Sequence, residues 1–266
     1  GVTTGQSIGA LFIGGVGPGI ITAVGLCLVS YWISKKRGYK GKMPFSMKNV
    51  RATAKNAMYP LLMPVIILGG IYGGIFTPTE AAAVAVFYAV IVGFFFTREL
   101  KLSDLPSILT GSAVTTAMVM LIIATASAFG RLLTLLELPA ALVNLVIENN
   151  VSAMLFLFVI NIAMLIAGTF MELNATILIL APILLPISKT LGIDPVHLGI
   201  IMVVNMTFGL LTPPLGVHLF VACGIAKIKF DVICREILPF LALALIVIFI
   251  VTYIPQTGMW LVKLFY

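Results

Sequence analysis

Eight stretches of this chain contain no Asp, Glu, Lys or Arg: 1–34, 57–79, 81–97, 105–130, 149–171, 173–188, 196–226 and 237–262. A helix needs about 20 apolar residues to cross roughly 30 Å of hydrocarbon, and most of these runs reach or approach that length. Of the 266 residues, 61% are apolar and only 9% charged, and the mean hydropathy is +1.19. Soluble domains carry about 25% charged residues. The pattern predicts an all-α polytopic membrane protein.

Two interruptions inside the apolar runs narrow the reading further. One is Thr169-Phe-Met-Glu172-Leu-Asn174-Ala-Thr176; the other is Thr212-Pro213-Pro214-Leu215-Gly216. Unpaired backbone N–H and C=O groups are too costly against lipid, so a break at membrane depth is buried in protein or lines water. Secondary transporters build sites for coupling ions and anionic substrates from such breaks. The run 173–188 is too short to cross alone and is expected to be the second arm of a re-entrant hairpin whose first arm is 152–168.

Each break has candidate site residues. Glu172 lies well inside an apolar stretch; it is expected either to form a capping box with Thr169 or to serve an ion site, because burying an ionisable group demands a partner or water. Asn174 is expected to cap the arm that starts at Ala175. Pro213 and Pro214 remove two amide donors, which leaves upstream carbonyls for a cation. Thr212 is expected to cap a short helix ending at Ala226, with its positive end toward the midplane. His218 faces either a cavity or ordinary packing, and His197 falls near the outer edge.

Charge distribution sets the topology. Eight basic residues, Lys35, Lys36, Arg37, Lys40, Lys42, Lys48, Arg51 and Lys55, fall in one segment without acids. The positive-inside rule places 34–56 in the cytoplasm, partly as an interfacial amphipathic helix, and accounts for the charge without nucleic acid. Threading from there leaves 13 of the 16 basic residues inside and opens the hairpin to the outside. Thr77, Pro78 and Glu80 form a helix-start pattern that capping alone explains. The glycines around Pro18 suit close helix packing. Cys27, Cys223 and Cys234 have no metal-ligand spacing, and there is no nucleotide-binding loop, HExxH or GxSxG. No signal peptide is visible.

The ordered motifs Gly73-Gly-Ile-Phe-Thr-Pro-Thr-Glu-Ala-Ala82, Ala167-Gly-Thr-Phe-Met-Glu172, Ile179-Leu-Ala-Pro-Ile-Leu-Leu-Pro186 and Gly209-Leu-Leu-Thr-Pro-Pro-Leu-Gly216 resemble the large membrane subunit of tripartite ATP-independent periplasmic (TRAP) transporters. The resemblance implies an elevator-type secondary transporter of two inverted repeats, each with a re-entrant hairpin and an unwound helix. It implies sodium-coupled import of a carboxylate-bearing solute, a C4-dicarboxylate or sialic acid, across the bacterial inner membrane. The implied partners are a small four-span membrane subunit and a periplasmic substrate-binding protein; sodium is the coupling ion, with no other cofactor.

The first repeat's Ser-rich tip and Pro-Pro-Ser break do not occur in this chain. It therefore reads as the last span of that repeat (1–34), a basic linker (35–56), a two-span pair (57–97) and the second repeat. That repeat comprises a span with an interfacial helix (98–149), the hairpin (150–190), the broken helix (191–230) and a final span (231–266). Carried over by motif, the sodium site is expected at Gly168, Asn174, Gly209 and Thr212. Glu172, Pro213, Pro214 and His218 complete the ion and substrate candidates, with Asn205 and Thr207 behind them. The rival expectation is a passive pore lined by the same two breaks.

Overall fold

The structure, a computed structural model, describes residues 1–39 and 46–266, except the side chains of Ala52, Lys55 and Asn56. Lys40 and Lys42 of the basic linker therefore lie outside the described residues. Along the chain run α1 (Ile8–Arg37), α2 (Met47–Tyr72), α3 (Pro78–Ile91), α4 (Leu105–Leu135), α5 (Leu138–Glu148), α6 (Ala153–Phe170), α7 (Leu173–Thr190), α8 (Pro195–Gly209), α9 (Val217–Ala226), α10 (Phe230–Glu236), α11 (Leu238–Tyr253) and α12 (Gln256–Phe265). No strand occurs among the described residues. Five helices are long and apolar enough to cross a membrane, α7 among them because at Leu173–Thr190 it extends past the charge-free run 173–188 that reads as too short alone, or six if α10 and α11, bent by 50°, form one span. The expected polytopic helical class is what the chain adopts.

Contacts divide the chain into two compact units, Gly38–Val119 and the remainder. In the smaller, α2 packs on α3, and Tyr88 donates its hydroxyl to the Tyr59 carbonyl at 2.8 Å. The expected capping box starts α3: Glu80 accepts from the Thr77 amide at 2.8 Å, and the Thr77 hydroxyl accepts from the Glu80 amide. Residues 47–56 form the first turns of α2, which continues into its apolar part up to Tyr72.

The larger unit is built around α8, which packs on α1, α6, α7, α11 and α12. Glycine lets α1 approach closely, as its sequence suggests. A Cβ at Gly17 would lie 1.7 Å from the Thr257 carbonyl oxygen, and one at Gly14 would strike Ile200. Near its C-terminus α1 carries Arg37, paired with Glu236 at 2.7 Å; half-exposed pairs of this kind contribute roughly 0–1 kcal/mol.

The final span is not continuous over 237–262. Ile250 accepts from the Ile254 amide, and α11 ends at Tyr253 because Pro255 has no N–H for the Val251 carbonyl. His197 supplies the missing donor: its Nε2 lies 2.9 Å from that carbonyl oxygen. His197, which the sequence places near the outer edge, is thus buried between α8 and α11, at 4% exposure. Substituting His197 by Phe should destabilise the protein by about 1–3 kcal/mol, the cost of a buried carbonyl left without a donor. The same substitution in a Pro255→Ala background should cost less, because an alanine there restores the intrahelical amide. Thermal unfolding of the four variants measures the difference, and equal losses in both backgrounds would refute the carbonyl's role.

Candidate functional site

The first break is the turn between α6 and α7. Helix α6 closes with the Met171 amide on the Ala167 carbonyl at 2.8 Å, and Thr169 turns its hydroxyl back to Ile166 at 2.7 Å. Thr169 therefore makes no capping box with Glu172. Glu172 itself, with extended backbone, is the cap of α7: its Oε2 accepts from the Ala175 amide at 2.9 Å. Asn174 does not cap the helix. Its Nδ2 donates to Glu172 Oε1 at 2.8 Å and holds the carboxylate in place. Glutamate fits the cap because an anion at a helix N-terminus meets free amides and the dipole's positive end.

The second break separates α8 from α9. Thr212 folds its hydroxyl onto the Phe208 carbonyl at 3.0 Å, so it closes α8 instead of capping α9. Gly216, at φ +48°, precedes α9 in its place. The Pro213–Pro214 peptide is cis. The carbonyls the prolines would have orphaned are recaptured: Gly209 accepts from the Thr212 amide at 2.9 Å and Leu210 from the His218 amide at 3.3 Å. The free oxygens lie farther on. Among the described residues, nothing donates to the carbonyls of Leu211, Thr212, Pro213, Pro214 or Leu215, nor to those of Gly168 to Met171 at the turn between α6 and α7.

The two breaks meet at a pair of glycines. A Cβ built on Gly209 would lie 2.9 Å from the Gly168 Cα, and one on Gly168 would lie 2.9 Å from the Gly209 Cα. The backbones are therefore in direct contact, which only glycine at both positions permits. Beside them Thr169, Phe170, Thr212, Pro213 and Pro214 join apolar residues of α11 around a cavity of about 360 Å³. Its two hydroxyls already donate within their own segments.

Other candidates from the sequence lie apart. Thr207 is exposed and bonds its own helix at Val203; His218 is exposed and does not line the cavity. Asn205 is fully buried and bonds Asn161, a residue the motifs did not single out. A lone amide in the apolar run of α6 was the available signal, since Asn in a spanning helix commonly bonds across to a neighbour.

The chemistry of the two breaks suits a hard cation. Thr212 donates its hydroxyl proton to Phe208 and keeps lone pairs on Oγ1, and Asn174, while one amide hydrogen holds Glu172, presents its carbonyl Oδ1 as an acceptor. Free carbonyls of unwound backbone are the oxygens that coordinate sodium in broken-helix transporters. Among the described residues no three His, Cys, Asp or Glu side chains gather as a transition-metal site would require.

A family model described as the DctM component of the tripartite ATP-independent periplasmic transporter matches residues 1–257. The chain belongs to this family. It is 46% identical over 261 residues to the isethionate TRAP transporter permease protein of Oleidesulfovibrio alaskensis, covering 98% of this chain and 41% of the relative. It is 46% identical over 256 residues to the C4-dicarboxylate TRAP large permease of Pseudomonas aeruginosa, covering 96% and 60%. With the sialic acid TRAP large permease of Vibrio cholerae it shares 39% over 265 residues, covering 100% and 62%. The chain thus spans less than two thirds of the length of these curated relatives. As a TRAP large-permease chain it is a multi-pass inner-membrane protein and not an enzyme.

Proposed function

We propose that this TRAP permease chain forms one wall of a sodium-coupled importer of an organic anion, a C4-dicarboxylate or sialic acid, and that the ion sits where the hairpin tip meets the broken helix. The observation that carries the reading is the backbone contact of Gly168 and Gly209, which brings two sets of unpaired carbonyls together beside Thr212. Relatives named for isethionate, C4-dicarboxylate and sialic acid all handle small organic acids, one of them a sulfonate, so anionic charge is the shared property. The proposed assembly adds an upstream inverted repeat, a small four-span membrane subunit and a periplasmic substrate-binding protein, working as an elevator. In this reading uphill import draws on an ion gradient, which supplies about 2.3 kcal/mol per charge per 100 mV.

In the complete transporter with its partners, Thr212→Val and Asn174→Ala should each raise the sodium concentration for half-maximal uptake about tenfold, or ~1.4 kcal/mol. Solute affinity at saturating sodium should stay near the parent value. Initial uptake rates across a sodium series in proteoliposomes decide it. An unchanged sodium dependence in both variants would remove these oxygens from the site.

A further inference from the structure

The larger unit contains a buried polar junction that the ion-site reading does not use. Asn161 on α6 donates one amide hydrogen to the Leu157 carbonyl at 2.8 Å and the other to Thr252 Oγ1 on α11 at 3.0 Å. Asn205 on α8 donates to the Asn161 carbonyl at 3.0 Å and to Asn161 Oδ1 at 2.6 Å. All three side chains are buried, at 7%, 0% and 1% exposure. Asn205 Oδ1 accepts nothing, so this residue acts purely as a donor to Asn161.

We infer that Asn161 is a positioning residue for the sodium site, fastening the first hairpin arm to the broken helix and to α11 so that Gly168 and Gly209 stay in contact. The inference rests on the sodium reading for its function and on geometry for its structure. Asn161 precedes Gly168 by about 10 Å along α6, and Asn205 precedes Gly209 by about 6 Å along α8, at 1.5 Å per residue. Buried apolar side chains such as Met164 and Met206 also fill the space between α6 and α8, but apolar packing is non-directional, and the amide pair is the contact that fixes one register of α6 on α8. The neighbouring residue of α11, Val251, is held to α8 by His197, so the junction reaches all three helices.

Why amides stand here is explained by specificity. An apolar pair would fill the space without stranding the Asn205 oxygen, and replacing both partners of a buried polar contact by apolar groups of similar shape is nearly neutral or stabilising. What such a replacement loses is register, as with a buried Asn in a coiled coil. The junction should therefore matter more to the alignment of the ion's oxygens than to folding.

The test uses the complete transporter with its partners and the variant Asn161→Leu/Asn205→Leu/Thr252→Val, which removes all three polar side chains of the junction. Its melting temperature should stay at or above the parent's, while its sodium concentration for half-maximal uptake rises about tenfold. Spin labels at the exposed Val159 of α6 and Val203 of α8 should give a broader distance distribution than in the parent. Unchanged sodium dependence with unchanged distances overturns the inference. If the parent takes up solute without sodium and the distances still broaden, the sodium reading fails and the positioning role stands. Should the triple variant not fold, Thr252→Val alone removes a single partner; it should raise the sodium requirement about threefold, and no change in either readout would overturn the proposal.

Discussion

Replacing Gly209 with alanine should reduce sodium-driven uptake by the complete transporter at least tenfold. The new Cβ would lie 2.9 Å from the Gly168 Cα and 3.2 Å from the Gly168 carbonyl carbon, and neither can step aside as a flexible side-chain end could. The two backbones must separate. Overpacking of this kind costs about 1–3 kcal/mol, and at this point the separation also spreads the free carbonyls of both breaks. Gly224→Ala is the matched control, since its Cβ meets nothing within 4 Å. Uptake and sodium dependence at the parent level in Gly209→Ala would mean that the hairpin tip and the break are not in contact in the working protein.

The largest steric conflict lies elsewhere, between α1 and α12. An alanine at Gly17 would place its Cβ 1.7 Å from the Thr257 carbonyl oxygen, so α12 cannot remain where it is. Met259, buried at 7% exposure, should then become accessible. In a cysteine-free background, Met259→Cys should resist a thiol reagent in the parent and react readily once Gly17→Ala is added. Gly15→Ala and Gly19→Ala, whose added atoms meet nothing within 4 Å, should leave it shielded. Equal labelling across the three alanine variants would contradict the packing.

Both conflicts explain what could and could not be read in advance. Charge-free runs, Pro-Pro and the Thr77–Glu80 pattern act locally: apolar length decides a span, a missing amide decides a break, and a capping box needs only four residues. These determined the helical membrane class, the positions of both breaks and the start of α3. The capping assignments at the breaks went differently because Thr, Asn and Glu offer similar oxygens at neighbouring positions. The local backbone of each break put Glu172 rather than Asn174 at the start of α7 and turned Thr212 back onto Phe208, four residues upstream.

Long-range pairing lay beyond the sequence for a related reason. A hydrogen bond from Asn205 to Asn161, 44 positions away, leaves no periodic trace, because each residue satisfies its own helix pattern whether or not the other is near. The same holds for His197, whose partner became available only because a proline in another helix removed a donor. The chain's chemistry thus determined which backbone would break. Only the folded helices brought the two breaks together, and the reason is steric: Gly168 and Gly209 let two backbones touch.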